Sequence, residues 1–287
     1  MKALDLKRIF HKELDGIYGA NEVANFFYLC LEHFVKIPKF QLSIDPQFTL
    51  KSKETDTFFE VLEELKSQKP IQYILGETEF YGLKFKVNQN VLIPRPETEE
   101  LVDWIIKSNK SRFEPLKILD IGTGSGCIAV SLAKHLSNAQ VYALDISSEA
   151  LQVAQGNAMV NGTEINFINA DILDVKSYQS VFNETSFDII VSNPPYVRQS
   201  EQLEMKPNVL DHEPHLALFV EDNNALVFYK AIIDFATRHL SSNGEIYFEI
   251  NQYLGEETKQ LLIDAHFKNV NLLMDLNAYN RMLKGIK

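Results

Sequence analysis

From Lys117 onward the chain alternates short apolar runs with stretches of helical periodicity, and no other feature restricts its fold as much. The runs Ile118–Ile121, Val141–Leu144, Ile165–Ile168 and Phe187–Val191 are separated by a helix reaching Leu136, a helix over 148–160 and a polar interval. After a polar loop the rhythm resumes: a helix near 224–240, a strand Glu245–Ile250, a helix over 254–266, a strand Val270–Met274 and a last strand near 280–286. Strands alternating with helices predict βαβ units and a parallel sheet, so the expected class is α/β with a seven-stranded sheet.

The first seventy residues read differently. Val23, Phe26, Phe27, Cys30, Leu31 and Phe34, then Phe58, Val61, Leu62 and Leu65, recur at helical spacing. Thr57 with Glu60 has the spacing of a capping box for the second of these helices. The Pro38–Pro46 stretch interrupts the pattern, which predicts a small bundle of short helices ending near Lys69-Pro70, since proline disfavours helix at the residue before it. Leu83, Phe85 and Val87 then alternate with Lys84 and Lys86 after a turn at Gly82, the pattern of a β-hairpin continuing into Val91–Ile93. Pro94 to Thr98 reads as a rigid loop, because each proline removes a donor and fixes φ; a helix Glu99–Lys107 follows. The expected organisation is a helical domain over 1–72, a hairpin and rigid linker over 73–98, and an α/β domain over 99–287.

Charge narrows the function. Of the 287 residues, 28 are Lys or Arg and 39 Asp or Glu, a net charge of −11. Residues 1–75 hold 10 basic and 11 acidic side chains, leaving 18 against 28 for the rest. Affinity resting on many neutralised phosphates is disfavoured, and no direct, stable nucleic-acid binding is expected. The two cysteines, Cys30 and Cys127, lie far apart, the N-terminus lacks the apolar core of a signal peptide, and no run approaches the roughly 20 apolar residues of a membrane span. A reduced, cytoplasmic protein with no membrane partner is expected.

Leu119-Asp120-Ile121-Gly122-Thr123-Gly124-Ser125-Gly126 ends a strand and opens a helix, where glycine lets the backbone turn tightly and approach a ligand closely. Asp145 ends the next strand 19 residues after Gly126, placed to accept hydrogen bonds from both hydroxyls of a ribose. The spacing is G-x-G-x-G with an acid two residues earlier at Asp120, not the G-x-G-x-x-G of dinucleotide enzymes. That favours S-adenosylmethionine, which has no pyrophosphate, over NAD; Asp120 can face its ammonium or sulfonium side. Asp171, just past the third strand, is placed to accept from the adenine amine. A mere strand-to-helix turn would account for one glycine, not three plus Asp145.

Ser192-Asn193-Pro194-Pro195-Tyr196 sits at the C-terminal end of the fourth strand, the edge where parallel α/β sheets bind ligands. Prolines there fix an extended backbone whose carbonyls are free to accept. The Asn193 side-chain oxygen and the Pro194 carbonyl can then take the two hydrogens of an –NH₂ group, and Tyr196 can stack on the planar group. An isolated match would be only a Pro-Pro turn; downstream of the glycine loop it points to transfer of a methyl group to nitrogen.

Together these residues resemble the peptide chain release factor glutamine methyltransferases over nearly the whole chain. The tetrapeptide is shared with nucleic-acid amino-methyltransferases; the hairpin, Ile93-Pro94-Arg95-Pro96-Glu97-Thr98-Glu99 and Glu213-Pro214-His215-Leu216-Ala217-Leu218 carry the finer resemblance. It implies a helical N-terminal domain that helps recognise a release factor and a class I, Rossmann-like methyltransferase sheet whose last hairpin is antiparallel. It further implies that Gly122, Thr123, Gly124, Ser125, Gly126, Asp145, Asp171 and Ile172 bind S-adenosylmethionine and that Asn193 to Tyr196 hold the target glutamine of the Gly-Gly-Gln loop. Ile172 stands where some relatives place an aromatic residue.

Other residues stay bland. His212 and His215 are three apart, but Pro214 argues against a helix presenting both, and no metal site is expected. Cys127 opens a helix, where a thiol can be acidified; a small residue packing helix on sheet is the plainer reading. Arg95 either contacts a partner or pairs with an acid of its own loop. The rival functions are a nucleic-acid amino-methyltransferase, which calls for a basic face, and a cofactor-binding scaffold without turnover, which leaves Asn193 unexplained.

Overall fold

Amphipathic helices in the first seventy residues have apolar faces that must cover one another. In the computed structural model, which describes residues 1–287, they form part of the first of two units: Met1–Gly76 with Lys206–His212, and Glu77–Met205 with Glu213–Lys287. Helix α1 (Ala3–Tyr18) buries Leu6, Phe10 and Leu14, and α2 (Ala20–Cys30) buries Val23, Phe26, Phe27 and Cys30. Beyond the single turn α3 (Gln41–Ile44), α4 (Ser52–Lys66) adds Phe58, Val61, Leu62 and Leu65, and α5 (Ile71–Leu75) ends at Gly76. Phe10 meets Phe27 and Phe58 at ring-centroid distances of 5.5 and 6.0 Å. Each buried aromatic or aliphatic side chain contributes roughly 1.5–3 kcal/mol to such a core.

The expected capping box does not form. Helix α4 begins at Ser52, so Thr57 is interior and its Oγ1 donates to the Lys53 carbonyl. Glu54 secures the start instead, its Oε2 accepting from the Lys51 amide at 2.8 Å.

The second unit opens with the hairpin β1 (Glu77–Phe80) and β2 (Leu83–Lys86). Its two turn residues, Tyr81 and Gly82, have φ of +49° and +72°, the doubly left-handed turn whose twist matches paired strands. Tyr81 is held there by its amide donating to Glu99 Oε1 and its hydroxyl to Asp103 Oδ1. Val91–Ile93 does not extend the hairpin, because the Ile93 amide donates to the Glu213 carboxylate and not to a strand. Nor is Pro96–Thr98 loop: α6 (Pro96–Asn109) starts at Pro96, the first helical position, where a missing N–H costs nothing. Thr98 is therefore in a helical first turn, and buried.

Five parallel strands follow the sequence rhythm: β3 (Leu116–Ile121), β4 (Ala139–Asp145), β5 (Ile165–Asn169), β6 (Phe187–Ser192) and, after the two-residue pair β7 (Val197–Arg198) and β8 (Phe219–Val220), β9 (Leu240–Glu249). Strands β10 (Lys268–Met274) and β11 (Asn280–Ile286) close an antiparallel edge, giving the order β10-β11-β9-β6-β3-β4-β5. Helices α7 (Cys127–His135), α8 (Ser148–Asn161), α9 (Val175–Phe182), α11 (Val227–His239) and α12 (Gly255–Asp264) pack on the sheet; α10 (Pro207–Leu210) is a single turn in the first unit. Helix α9 falls where no helix is expected, yet Tyr178 and Phe182, four residues apart, are both buried.

The order runs from β3 through β4 to β5 in one direction and from β3 through β6 to β9 in the other. The ends of β3 and β6 thus flank a topological switch point, where open α/β sheets bind ligands. Register brings them level, with Ile121 opposite both Leu144 and Ser192. No helix is long and apolar enough to cross a membrane.

Candidate active site

A cavity of about 580 Å³ opens at this switch point, lined by residues after β3, β4, β5 and β6 together with Asn90–Leu92, Pro94, Arg95 and Thr98, well within the usual range for a small-molecule site. Its floor is the glycine loop. Gly122, Gly124 and Gly126 have φ of +74°, +54° and +82°, a region where any other residue is strained. At Gly122 and Gly124 an added Cβ would meet nothing within 4 Å, so the backbone faces open space. At Gly126 it would meet the Cβ of Ala154 at 3.0 Å, so that glycine serves the packing of α7 on α8. The loop is tied behind by the amides of Gly122 and Thr123, both donating to the Leu144 carbonyl. Buried Asn157 of α8 joins the Ser125 carbonyl to the Lys86 backbone of the hairpin.

Asp145 ends β4 at the cavity wall, Oδ2 accepting from the Gly124 amide at 2.8 Å and Oδ1 from Ser147 at 2.9 Å. Burial raises its proton affinity, and the amides of Ser147 and Gly124 oppose the rise. Two amides thus aim the carboxylate. Asp171 and Ile172 also line the cavity; Asp171 Oδ1 accepts from the Leu173 amide. Thr123 and Ser125 join them on the wall. Asp120 does not. It is fully buried under the loop, Oδ2 accepting from Thr123 Oγ1 at 2.6 Å and Oδ1 lacking a partner. Burial pushes its carboxyl up to about 7, against the pull of the Thr123 hydroxyl. Burial also pushes the neighbouring Cys127 thiol up to about 12, so the helix start does not acidify it.

Asn193, Pro194 and Pro195 form the opposite wall. A side cavity of about 50 Å³ shares Leu92, Arg95, Asn193, Pro194 and Ala217 with the large one and is further lined by Tyr196 and Glu249. Tyr196 therefore belongs to the side chamber. Its hydroxyl donates to Glu249 Oε1 at 3.1 Å, and burial beside that carboxylate pushes the phenol pKa up. Asn193 Nδ2 donates to Thr98 Oγ1 at 3.3 Å.

Arg95 pairs with an acid far from its own loop. Its guanidinium binds Oε1 of Glu213, whose side chain is 1% exposed, while Oε2 accepts from the Ile93 amide. This pair clips Ile93–Arg95 to the segment bearing Pro214, Leu216 and Ala217, and both segments line the cavity. His212 and His215 go separate ways: one ring faces the Ser67 carbonyl and the other lies edge-on to Phe219. Glu249 and Thr98 were not expected at the site. A carboxylate closing the apolar run Ile246–Ile250 at the ligand edge was the available signal for Glu249; Thr98 was hidden by reading Pro94–Thr98 as loop.

Comparison with known proteins places the chain. Residues 113–280 match the family model of a methyltransferase domain, and residues 12–76 match that of the PrmC N-terminal domain. The release factor glutamine methyltransferase of Flavobacterium psychrophilum is 54% identical over 96% of this chain and 95% of its own. That of Bacteroides thetaiotaomicron is 39% identical over 95% of each. In fold, the chain is similar to the crystal structure of a methyltransferase from Pyrococcus furiosus, with a TM-score of 0.51 at 19% identity, covering 72% of this chain and 90% of that one. With relatives this similar over almost their full length, the chain belongs to the family of release factor glutamine methyltransferases.

Proposed function

We propose that the chain transfers a methyl group from S-adenosylmethionine to the side-chain amide nitrogen, N5, of the glutamine in the Gly-Gly-Gln loop of a peptide chain release factor in the cytoplasm. The observation that carries this reading is the meeting, at one switch point, of an open glycine loop and an Asn-Pro-Pro wall in a chain of this family. When bound, S-adenosylmethionine would supply an electrophilic methyl group on a sulfonium, whose sulfur is left as a neutral thioether when the bond to that methyl breaks. Asp145 would accept from the ribose hydroxyls, Asp171 and Ile172 would hold the adenine, and the Gly122–Gly126 loop would contact the rest of the cofactor. Asp120 would act only from beneath the loop, by holding the Thr123 hydroxyl, and not by direct contact.

An amide nitrogen is a poor nucleophile because its lone pair is delocalised into the carbonyl. Asn193 Oδ1 and the Pro194 carbonyl accept its two hydrogens and hold the nitrogen toward the methyl group. Those bonds strengthen as positive charge develops on nitrogen, so they stabilise the transition state more than the ground state; once the C–N bond has formed, the nitrogen gives up one of its two protons to solvent, which leaves the neutral N-methyl amide. Fixed orientation lowers the entropic barrier. Tyr196 and Pro195 wall in the planar group. Residues 1–72 serve to recognise a second surface of the folded release factor, 73–98 link the parts, and 99–287 carry the chemistry. The test is label transfer from methyl-labelled S-adenosylmethionine offered in parallel to a folded release factor, DNA and RNA. Label is expected in the release factor alone; labelled nucleic acid beside an inert release factor overturns the reading.

A further inference from the structure

Glu249 is a buried acid to which the methyl transfer, as derived from the cavity walls, gives no role. It is the last residue of β9, whose Phe248 is opposite Ser192 in the sheet, so Glu249 stands beside Asn193 at the ligand edge. It is 2% exposed, and no Lys or Arg lies within ion-pair distance; Arg281, whose charge favours its ionised form, is paired with Asp275. Burying a carboxylate without a paired cation is costly. Its hydrogen bonds show where it acts: Oε2 accepts from Thr98 Oγ1 at 2.6 Å and Oε1 from the Tyr196 hydroxyl at 3.1 Å. The Tyr229 hydroxyl donates to its carbonyl, and Asn251 Nδ2 donates to the Tyr196 carbonyl, so both backbones are held as well.

The chain of donors has a direction. Burial raises the proton affinity of Glu249, against the hydrogen bond from Thr98, the charge of Arg281 and the hydrogen bond from Tyr196; in its ionised form it only accepts, and a threonine hydroxyl has one proton. With that proton given to Glu249, Thr98 Oγ1 has only lone pairs left and must receive a donor. At 3.3 Å it faces the Asn193 amide, whose NH₂ end is its only donor. The opposite flip would set Oδ1 against Oγ1, two acceptors in contact. The Asn193 amide is thereby oriented with its NH₂ toward Thr98 and its oxygen away from it, on a residue that lines both cavities.

We propose that Glu249 is a positioning residue for the methyl transfer: through Thr98 it sets the flip of the Asn193 amide, so that Oδ1 and not Nδ2 is presented to the substrate NH₂, and through its other oxygen it fixes Tyr196 in the side chamber. The inference rests on the reading of Asn193 as the acceptor for that group. An amide in place of the carboxylate, as in Glu249→Gln, breaks the polarity, since its NH₂ end would donate to one of the two hydroxyls and free that hydroxyl's proton.

The experiment is a kinetic cycle on the full-length protein with folded release factor as substrate. Glu249→Gln is expected to lower kcat roughly 10- to 100-fold, the kinetic equivalent of one misplaced hydrogen-bonding group, with calorimetric affinity for S-adenosylmethionine within about twofold and KM for the release factor changed much less than kcat. In an Asn193→Ala background the same substitution should cost much less, because only the part that runs through Tyr196 is left. Should Glu249→Gln fail to fold, Thr98→Val cuts the same relay and leaves Glu249 with Tyr196; it should lose a similar factor, and Thr98→Ser should restore most of it. Wild-type kcat in either folded variant, or losses that multiply with Asn193→Ala, overturns the proposal. Near-normal turnover of Asn193→Ala alone would overturn the underlying reading of Asn193, an outcome distinct from both.

Discussion

Replacing Asp120 by asparagine removes a charge from a place that cannot solvate it. The carboxyl is fully buried, one oxygen has no partner, and its pKa is pushed from the ordinary 3.8 up to about 7. A raised acid binds its proton more tightly in the folded chain than in the unfolded one. Its contribution is therefore intact below about 3.8 and is lost progressively as pH rises through 7, above which the fold bears the full cost of the buried charge. At roughly 1.4 kcal/mol for each tenfold in proton affinity, that cost is on the order of 4 kcal/mol. Asparagine keeps an oxygen for Thr123 and has no such titration. The stability difference between Asp120→Asn and wild type should thus shift toward the variant by up to about 4 kcal/mol between pH 4 and pH 7, then level off. For a chain of this size each kcal/mol is about 2 °C in Tm. Thermal unfolding of both proteins without cofactor, at intervals from pH 4.5 to 8.5, measures this, because every other titrating group is common to the pair. Parallel curves, or a gap that moves toward wild type as pH rises, would refute the account of Asp120.

Three further outcomes are expected. Asp145→Ala should weaken S-adenosylmethionine binding by roughly 1–3 kcal/mol, the scale of hydrogen bonds to a charged group; unchanged calorimetric affinity removes Asp145 from the site. Asn193→Ala should lower kcat about 10²-fold or more, by analogy with removal of one polar transition-state contact, with little change in cofactor affinity. Deleting residues 1–70 should raise KM for the release factor far more than it lowers kcat, since a second contact raises effective concentration at the site; circular dichroism on the truncated chain confirms that its sheet is intact, and equal KM values count against a recognition role.

Where local pattern and tertiary environment agree, the sequence was a sufficient guide. The seven strands stand on the apolar runs that predict them, except that β9 begins at Leu240 and not at Glu245, and the antiparallel last hairpin follows the family resemblance. The glycine loop was legible because positive φ at three alternate positions leaves little choice of residue. Failures came where a distant group decides. Pro96 opens a helix and does not merely stiffen a loop, and Thr98 in that helix meets Glu249, 151 residues away. Arg95 finds Glu213, 118 residues on, where sequence offered only a partner or a neighbour in its own loop. Asp120 sits beneath the loop because strand alternation at the end of β3 turns it from the cavity, a distinction of one residue that spacing does not resolve. The capping box failed for a local reason: Thr-x-x-Glu recurs by chance within a polar helical face, and α4 had already begun.

The central claim is that the methyl acceptor is one glutamine amide in a folded release factor, and locating the methyl group tests it most directly. Incubation of the full-length protein with S-adenosylmethionine and a purified release factor, followed by proteolysis and fragment-ion mass spectrometry, should place a single methyl on the side-chain nitrogen of the Gly-Gly-Gln glutamine. A release factor with alanine there should remain unmodified, as should the intact one when treated with the Asn193→Ala protein for the same time. A methyl group on any other residue, or persistence of modification in the alanine variant, would contradict the account.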